Sequence, residues 1–528
     1  MTSLRDWKFI SLFLNKSTNR QNPYICLVIT TRLEKQQKEV SSQTLKFSII
    51  NYIGAAIGIV STLFIYPNDK EFLGIIRYIF DGAQILMAFF VFGTSQSLVN
   101  YFPRFKESPE KRNVFFSTTL LIVLVNSVLF SAAFLLLANS LYGVLPDFHA
   151  FDYIGYSISV GVAFAIMDVC KRQASNYKKI AIPTVLERFS IKIFFPAIFL
   201  LYLGNIITLE TGKIIYVICF VIIMIIALWY VKKVANIKFI FSPKKVFNRA
   251  FRKEYIPYSL FAFFSILGSL LAFKIDGIMV PNLIEEGNAM TANGTYSIGV
   301  VLAATLAIPA IGLYTIYSPI ITEYIAKDEI ASLGKKYQEV SKLLFAVGGF
   351  LLCCIFLGVN DLFSILPTRE NLLDTIPVIL ILSFNVVIDM TTSFNSHILL
   401  YSKYYRFNMV AIAVLVFLNI ALNIYFIKHL QLGIEGAAYA TLTSMTLYNT
   451  VKLIFIYSKY NIQPFTQKHL WLLLSFIATV GLLSNIPTTS FIILDIILKV
   501  GTCMLVNGIV IYKLRMIPAA NDWIAERF

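Results

Sequence analysis

Hydrophobic residues occur along this 528-residue chain in fourteen continuous stretches, which are separated by short polar connections. A helix needs about twenty apolar residues to cross the roughly 30 Å of hydrocarbon in a bilayer. A transmembrane β-barrel would show alternating strands of about ten residues, whereas these apolar stretches are unbroken. The pattern predicts an all-α membrane protein with about fourteen transmembrane helices, over residues 46–66, 76–101, 113–139, 153–171, 180–203, 213–231, 257–281, 292–322, 339–360, 374–400, 408–427, 434–458, 469–485 and 491–512.

Lysine and arginine residues lie mostly in every second connection between these spans, and the 232–256 connection is the richest. The alternate connections contain only Lys70, Lys213, Arg369 and Lys428. Basic residues in short loops mark the cytoplasmic side of a membrane protein. We therefore expect both termini to be cytoplasmic.

The composition supports a membrane protein and argues against other classes. Hydrophobic residues make up 57% of the chain and charged residues 14%, whereas a soluble domain carries about 25% charged residues. The net charge is +16, and the basic residues that cause it lie beside the predicted spans. Their position predicts contact with anionic lipid headgroups rather than with nucleic acid. The six Cys and four His show no paired metal-ligand spacing, so no metal site is expected.

The basic connection near the middle of the chain suggests two halves. We predict an N-lobe of six spans over 34–235, a C-lobe of six spans over 236–458, and two further spans with a cytoplasmic tail over 459–528. Residues 1–33 contain no apolar run long enough to span, and we expect a disordered extension or a start site assigned too early. A faint internal repeat supports the two halves, since Gly74 and Gly93 are matched by Gly294 and Gly312.

Charged residues inside spans are functional candidates, because each costs about 2.5–3.5 kcal/mol at the centre of a membrane helix. Arg188 and Lys192 lie four residues apart in the fifth span and share one helix face. Two like charges on one face indicate a water-filled cavity or a bound anion. With Lys274 and Arg77 they form the predicted cationic substrate-binding set, although Arg77 lies close enough to a span end to reach the headgroups instead.

The acidic residues within spans are candidates for ion coupling, and they are Asp276, Asp389, Asp81 and Glu187. Lys274 and Asp276 are about 200° apart around their helix, so we expect them to face different surroundings. Asp389 has a structural alternative, which is a hydrogen bond with the nearby Thr391 or Thr392 or with a neighbouring helix. In the last span Asp495 and Lys499 lie four residues apart and are expected to pair with each other.

One stretch carries a family resemblance, and its sequence from Leu418 to Thr441 is LNIALNIYFIKHLQLGIEGAAYAT. It resembles a signature of polysaccharide flippases in the multidrug/oligosaccharidyl-lipid/polysaccharide (MOP) exporter superfamily. Residues 275–279 (IDGIM) look like the Asp-containing motif of the seventh span in that family, and 398–408 resembles its tenth-to-eleventh connection. The matching residues in the signature are Asn419, Asn423, Gly433, Gly436, Ala437, Ala438, Ala440 and Thr441.

The resemblance implies two six-helix lobes in a MATE-like V around a central cavity, plus two C-terminal helices. It implies a flippase, not an enzyme, that moves undecaprenyl-diphosphate-linked oligosaccharide to the outer leaflet of the bacterial inner membrane for O-antigen, capsule or exopolysaccharide. Arg188, Lys192, Lys274 and Arg77 would suit the diphosphate. The implied energy source is a proton or sodium gradient without a cofactor, and candidate partners are membrane lipids, a polysaccharide polymerase and chain-length proteins.

Two alternatives remain open from the sequence. The same fold could belong to a MATE-type cation-coupled multidrug antiporter, which an acidic, aromatic-lined cavity would favour. A catalytic His or Asp in an outer loop would favour a membrane polymerase or transferase of lipid-linked glycans, but the large outer loop expected for such chemistry is missing from the sequence. The chain has no phosphate-binding GxxxxGK[ST] sequence, so it is not predicted to be an ATPase.

Overall fold

The computed structural model describes residues 53–142, 150–179, 181–284, 288–392, 394–486 and 491–516, and every regular element in these ranges is helical. Contacts divide the chain into a unit Met1–Gly54 and a unit Ala55–Phe528, and the second contains nearly all the described residues. The prediction for residues 1–33 falls outside the described residues. The expected all-α class is confirmed for the described part of the chain.

Seventeen longer helices are labelled here in chain order. They are α1 (Ile53–Asn68), α2 (Lys70–Val91), α3 (Thr94–Phe105), α4 (Pro109–Tyr142), α5 (Ala150–Asn176), α6 (Ala181–Leu203), α7 (Leu209–Ala235), α8 (Arg249–Leu283), α9 (Ala289–Ala304), α10 (Ile308–Ala326), α11 (Ile330–Ser364), α12 (Ile376–Thr392), α13 (Phe394–Tyr401), α14 (Tyr405–Asn423), α15 (Gly433–Tyr460), α16 (Gln467–Leu483) and α17 (Ile492–Lys513).

Ten of the described helical segments are long and apolar enough to cross a membrane. Large apolar side chains such as Leu129, Phe417 and Leu505 remain exposed on their outer surfaces. In water such a surface would be unstable, whereas in a bilayer the lipid chains cover it. The protein is therefore a multi-pass membrane protein.

Three predicted spans are each divided between two consecutive helices. The second span is α2 followed by α3, and Phe92 and Gly93 between them have φ values of 47° and 70°. Left-handed backbone cannot continue an α-helix, and glycine adopts it without strain. The eighth span is α9 followed by α10, with a 3₁₀ turn Thr305–Ala307 just before Pro309. The tenth span is α12 followed by α13.

Helix α2 is central to the bundle. In its most apolar stretch 67% of the residues are buried, compared with 17% in the peripheral helix α4. It packs against α5 of the first half and against α8 and α9 of the second half. At its Lys70 end, the backbones of α2 and α9 touch. A Cβ added to Gly74 would lie 1.8 Å from the Met290 carbonyl oxygen. A Cβ added to Gly294 would lie 1.9 Å from the Lys70 carbonyl oxygen. The two glycines that match in the faint sequence repeat thus face each other across the halves.

The last two helices pack against α11 and against each other. The Lys499 ammonium of α17 donates to the Asp361 carboxylate of α11 at 2.8 Å, and both side chains are largely buried. The Lys499–Asp361 ion pair thus joins two helices that are distant in the sequence. It attaches the C-terminal helix pair to the second half.

Candidate functional site

A cavity of about 150 Å³ lies among α1, α2, α6, α7 and α9, so it draws on both halves of the protein. Arg77 and Lys192 line it, together with the rings of Tyr66, Phe80 and Tyr216. No Asp or Glu of the described residues lines this cavity. The Arg77 Nε is buried and has no hydrogen-bond partner among the described residues. A cavity with two cations and no acid is suited to an anion.

Lys274 of α8 lies beside this cavity. Its ammonium is 2.9 Å from the Asp81 Oδ1 of α2, which makes an ion pair between the two halves. The Lys274 ammonium and the Arg77 guanidinium both lie over the Phe80 ring, at 5.2 and 5.7 Å from its centroid. Three of the four predicted cations, Arg77, Lys192 and Lys274, are therefore brought to one region.

The remaining residues predicted in the fifth span lie elsewhere on α6. Arg188 is exposed and is not among the residues that line the cavity. The Glu187 carboxylate is 2.6 Å from the Lys171 ammonium of α5. Lys192, one turn further along the helix, is the member of this group that reaches the cavity.

Asp276 lies at the centre of a separate polar cluster, which four helices of the second half build. Its carboxylate accepts hydrogen bonds from the Tyr296 hydroxyl of α9 at 3.0 Å and the Asn423 amide of α14 at 2.9 Å. The Thr441 hydroxyl of α15 donates to it as well. Asp276 is only 7% exposed. As expected from their spacing, Asp276 and Lys274 face different surroundings.

The family signature explains much of this cluster. Asn419 and Asn423 are one turn apart on α14, and the side-chain Oδ1 of Asn419 accepts from the Asn423 side-chain amide at 2.9 Å. The Oδ1 of Asn423 is buried and accepts no hydrogen bond from the described residues. The Asp276 carboxylate beside this oxygen forms no ion pair with a lysine or arginine among the described residues. An unpaired carboxylate next to an amide oxygen without a hydrogen bond is a suitable environment for a cation. The sequence singled out Asp276 but not Tyr296, and Thr441 was noted only as a signature residue.

A second group of charged and polar side chains in the second half surrounds the half-buried Asp389 and the buried Lys452. The Asp389 carboxylate accepts from the Asn449 amide of α15 at 3.3 Å, which is the neighbouring-helix alternative stated above. Lys452 is 1% exposed, donates to the Ser396 hydroxyl at 2.9 Å and lies over the Tyr448 ring. The Lys452 ammonium is therefore enclosed by other side chains of the protein.

The apolar helical bundle and the cation-lined cavity between its halves are the features with which known proteins can be compared. By sequence, the chain matches the polysaccharide biosynthesis protein family over residues 47–314, slightly more than half its length. The protein belongs to this family, as the signature resemblance indicated. No curated protein sequence matches the chain significantly.

Solved structures share this fold at low sequence identity. A lipid II flippase, MurJ, in an inward closed conformation has a TM-score of 0.64 and 15% identity, covering 89% of this chain and 99% of that one. An inward-facing multidrug resistance MATE transporter of the MOP superfamily has a TM-score of 0.62 and 12% identity, covering 77% and 94%. A MOP superfamily transporter from Pyrococcus furiosus with reversed binding-pocket polarity has a TM-score of 0.53 and 13% identity, covering 79% and 95%. The predicted MATE-like fold is confirmed.

Proposed function

We propose that this protein is a flippase that moves undecaprenyl-diphosphate-linked oligosaccharide from the inner to the outer leaflet of the bacterial cytoplasmic membrane by alternating access. The observation that carries the proposal is the acid-free cavity lined by Arg77 and Lys192. It lies between the halves of a chain that belongs to a polysaccharide biosynthesis family. Guanidinium and ammonium groups are the natural partners of diphosphate oxygens.

The charge of the cavity favours this function over multidrug antiport. A site for cationic drugs needs a carboxylate among its aromatic rings, and here the rings of Tyr66, Phe80 and Tyr216 accompany cations instead. The sugar polymerase or transferase alternative has no specific observation in its favour. The proposed action is therefore transport of an intact lipid-linked glycan.

Orientation and span number complete the proposal. A count of fourteen spans is supported by the positions of helices α1 to α17, which lie singly or in consecutive pairs at the predicted spans, although α1 and α16 are shorter than the other spanning helices. The basic connections, such as 236–248 between α7 and α8, would lie in the cytoplasm. On that basis the Lys70 end of α2, where Gly74 meets Gly294, faces the outside. The protein then closes the outer side of its cavity in this conformation.

The Asp276 cluster is the proposed site of ion coupling. Its potential ligands are oxygen atoms of one carboxylate, the amides of Asn419 and Asn423, and the hydroxyls of Tyr296 and Thr441. Such a set fits Na⁺, and the single carboxylate fits a proton. A bound monovalent cation would supply the positive charge that balances Asp276 and would link transport to an ion gradient.

The cavity assignment is tested with the full-length protein in lipid nanodiscs and undecaprenyl diphosphate as the probe. Arg77→Gln and Lys192→Gln each remove charge-assisted hydrogen bonds worth about 1.5–3 kcal/mol. We expect each substitution to raise the Kd roughly ten- to a hundredfold. Undecaprenol, which has no phosphate, should bind weakly to every variant.

Lys233→Gln is the matched control, because Lys233 is exposed on α7 and lies over the Trp229 ring, away from the cavity. Its Kd should equal that of the wild type. Equal Kd values for Arg77→Gln, Lys192→Gln and the wild type would contradict the cavity assignment. A change in the mass of the glycan after transport would instead support the polymerase or transferase alternative.

A further inference from the structure

We propose that the diphosphate of the substrate competes with Asp81 for Lys274. Substrate binding then breaks the Asp81–Lys274 ion pair between the two halves and favours their separation. The proposal rests on the proposed function, since it assumes an anionic substrate at Arg77 and Lys192. Asp81 is then a positioning residue that acts through Lys274.

The fit of Asp81 against α8 is close at two points. One is the 2.9 Å contact with the Lys274 ammonium. The other is Gly277, where an added Cβ would lie 2.5 Å from the Asp81 Oδ2. Any larger residue at 277 would displace the carboxylate. The backbone of α8 thus makes room for an acid that belongs to α2.

Lys274 is placed where a substrate in the cavity could reach it. Phe80 lines the cavity, and its ring lies beneath both Arg77 and Lys274. The lysine side chain is 22% exposed whereas that of Asp81 is 7% exposed. Lysine has a flexible stem and three donors, so a small rotation moves its ammonium from one oxygen to another. Lys274 can move towards an anion, but Asp81 cannot follow it.

This asymmetry couples binding to conformation. A diphosphate carries more negative charge than one carboxylate and attracts the ammonium more strongly. Once Lys274 turns to the diphosphate, Asp81 is a buried charge without a partner, which is unfavourable unless water reaches it. Water reaches it only when α2 and α8 separate. The substrate therefore binds more tightly to the separated arrangement, which is the requirement for a ligand to shift a conformational equilibrium.

A double-mutant cycle separates this competition from a general effect of charge. The Kd for undecaprenyl diphosphate is measured for the full-length wild type, Asp81→Asn, Lys274→Gln and the double variant in nanodiscs. Competition predicts that Asp81→Asn, with Lys274 intact, has a Kd about tenfold lower than the wild type, because binding no longer has to break the Asp81–Lys274 ion pair. In the Lys274→Gln background the same change should leave the Kd unaltered. Equal factors in both backgrounds would show a through-space effect and overturn the proposal.

A distance measurement gives the second readout. Spin labels at residues 205 and 431, both exposed and in connections of different halves, report the separation of the halves in a variant without native cysteines. We expect undecaprenyl diphosphate to shift the distance in the wild type, and Asp81→Asn to shift it without ligand. The exchanged pair Asp81→Lys with Lys274→Asp should restore the unliganded distance. A wild-type distance in Asp81→Asn would refute the coupling even if binding is intact, whereas no binding by any variant would refute the proposed function itself.

Discussion

At the residue scale, the two ionic sites differ in how far sequence could predict them. Asp276 stood out as a lone acid in an apolar span, and its partners Asn419 and Asn423 lie one turn apart within a recognisable signature. The pairing of Asp81 with Lys274 was not predictable, because 193 residues separate them and no helical spacing relates them. A charge can be located from sequence, whereas its partner depends on which helices become neighbours.

If the Asp276 cluster binds the proposed coupling ion, Asp276→Asn should abolish the stabilisation that this ion gives the protein. The melting temperature of the full-length protein is measured in NaCl and in choline chloride at several pH values. If Na⁺ is the ion, a concentration of 100 times its Kd adds about 2.7 kcal/mol of stability, and the wild type should melt several degrees higher in NaCl. If the ion is a proton, the increase should appear as the pH falls. Asp276→Asn should show neither increase.

Asp389→Asn is the matched control for this experiment, because Asp389 is a half-buried acid of the second half whose carboxylate also accepts a hydrogen bond from an asparagine amide. It should retain the ion dependence of the wild type. Loss of that dependence in Asp389→Asn, with its retention in Asp276→Asn, would move the coupling site to Asp389.

At the element scale, hydropathy predicted where helices cross the membrane but not where they break. The second predicted span continued through Gly93, since glycine is common in membrane helices and does not interrupt an apolar run. In the structure Gly93 immediately precedes α3 and has a positive φ, and an added Cβ would lie 1.9 Å from the Ser259 carbonyl oxygen of α8. Its role depends on a helix from the other half, which no local pattern contains.

Gly74→Ala should open the contact between α2 and α9. Its methyl group would overlap the Met290 carbonyl oxygen, so the two backbones must move apart by more than an ångström. We expect a longer distance between spin labels at 205 and 431, and faster reaction of a cysteine placed at Ser297 in the cavity with a water-soluble maleimide. Gly501→Ala on α17 is the control, because no atom lies within 4 Å of its added Cβ. An unchanged distance in Gly74→Ala would show that this contact does not hold the halves together.

At the scale of the whole molecule, the distribution of charge has two separate causes. Most basic residues follow the alternation of the connections and concern only orientation. A few lie within helices, and the structure brings Arg77, Lys192 and Lys274 together while Asp276 remains in its own cluster. Sequence could separate these two populations, but not the cavity cations from Arg188, which lies one turn from Lys192 on the exposed part of the same helix.

The proposed orientation predicts which connections a membrane-impermeant maleimide can reach in intact cells. Single cysteines are introduced into a variant whose six native cysteines are replaced by serine. Cysteines at Asn205 and Gln431 should react from outside, because both are exposed in connections with few basic residues. Cysteines at Lys244 and Asp328 should react only after the membrane is permeabilised, because their connections are basic. Reaction of Lys244→Cys in intact cells would show that the protein has the opposite orientation. The closed Gly74–Gly294 contact would then lie on the cytoplasmic side.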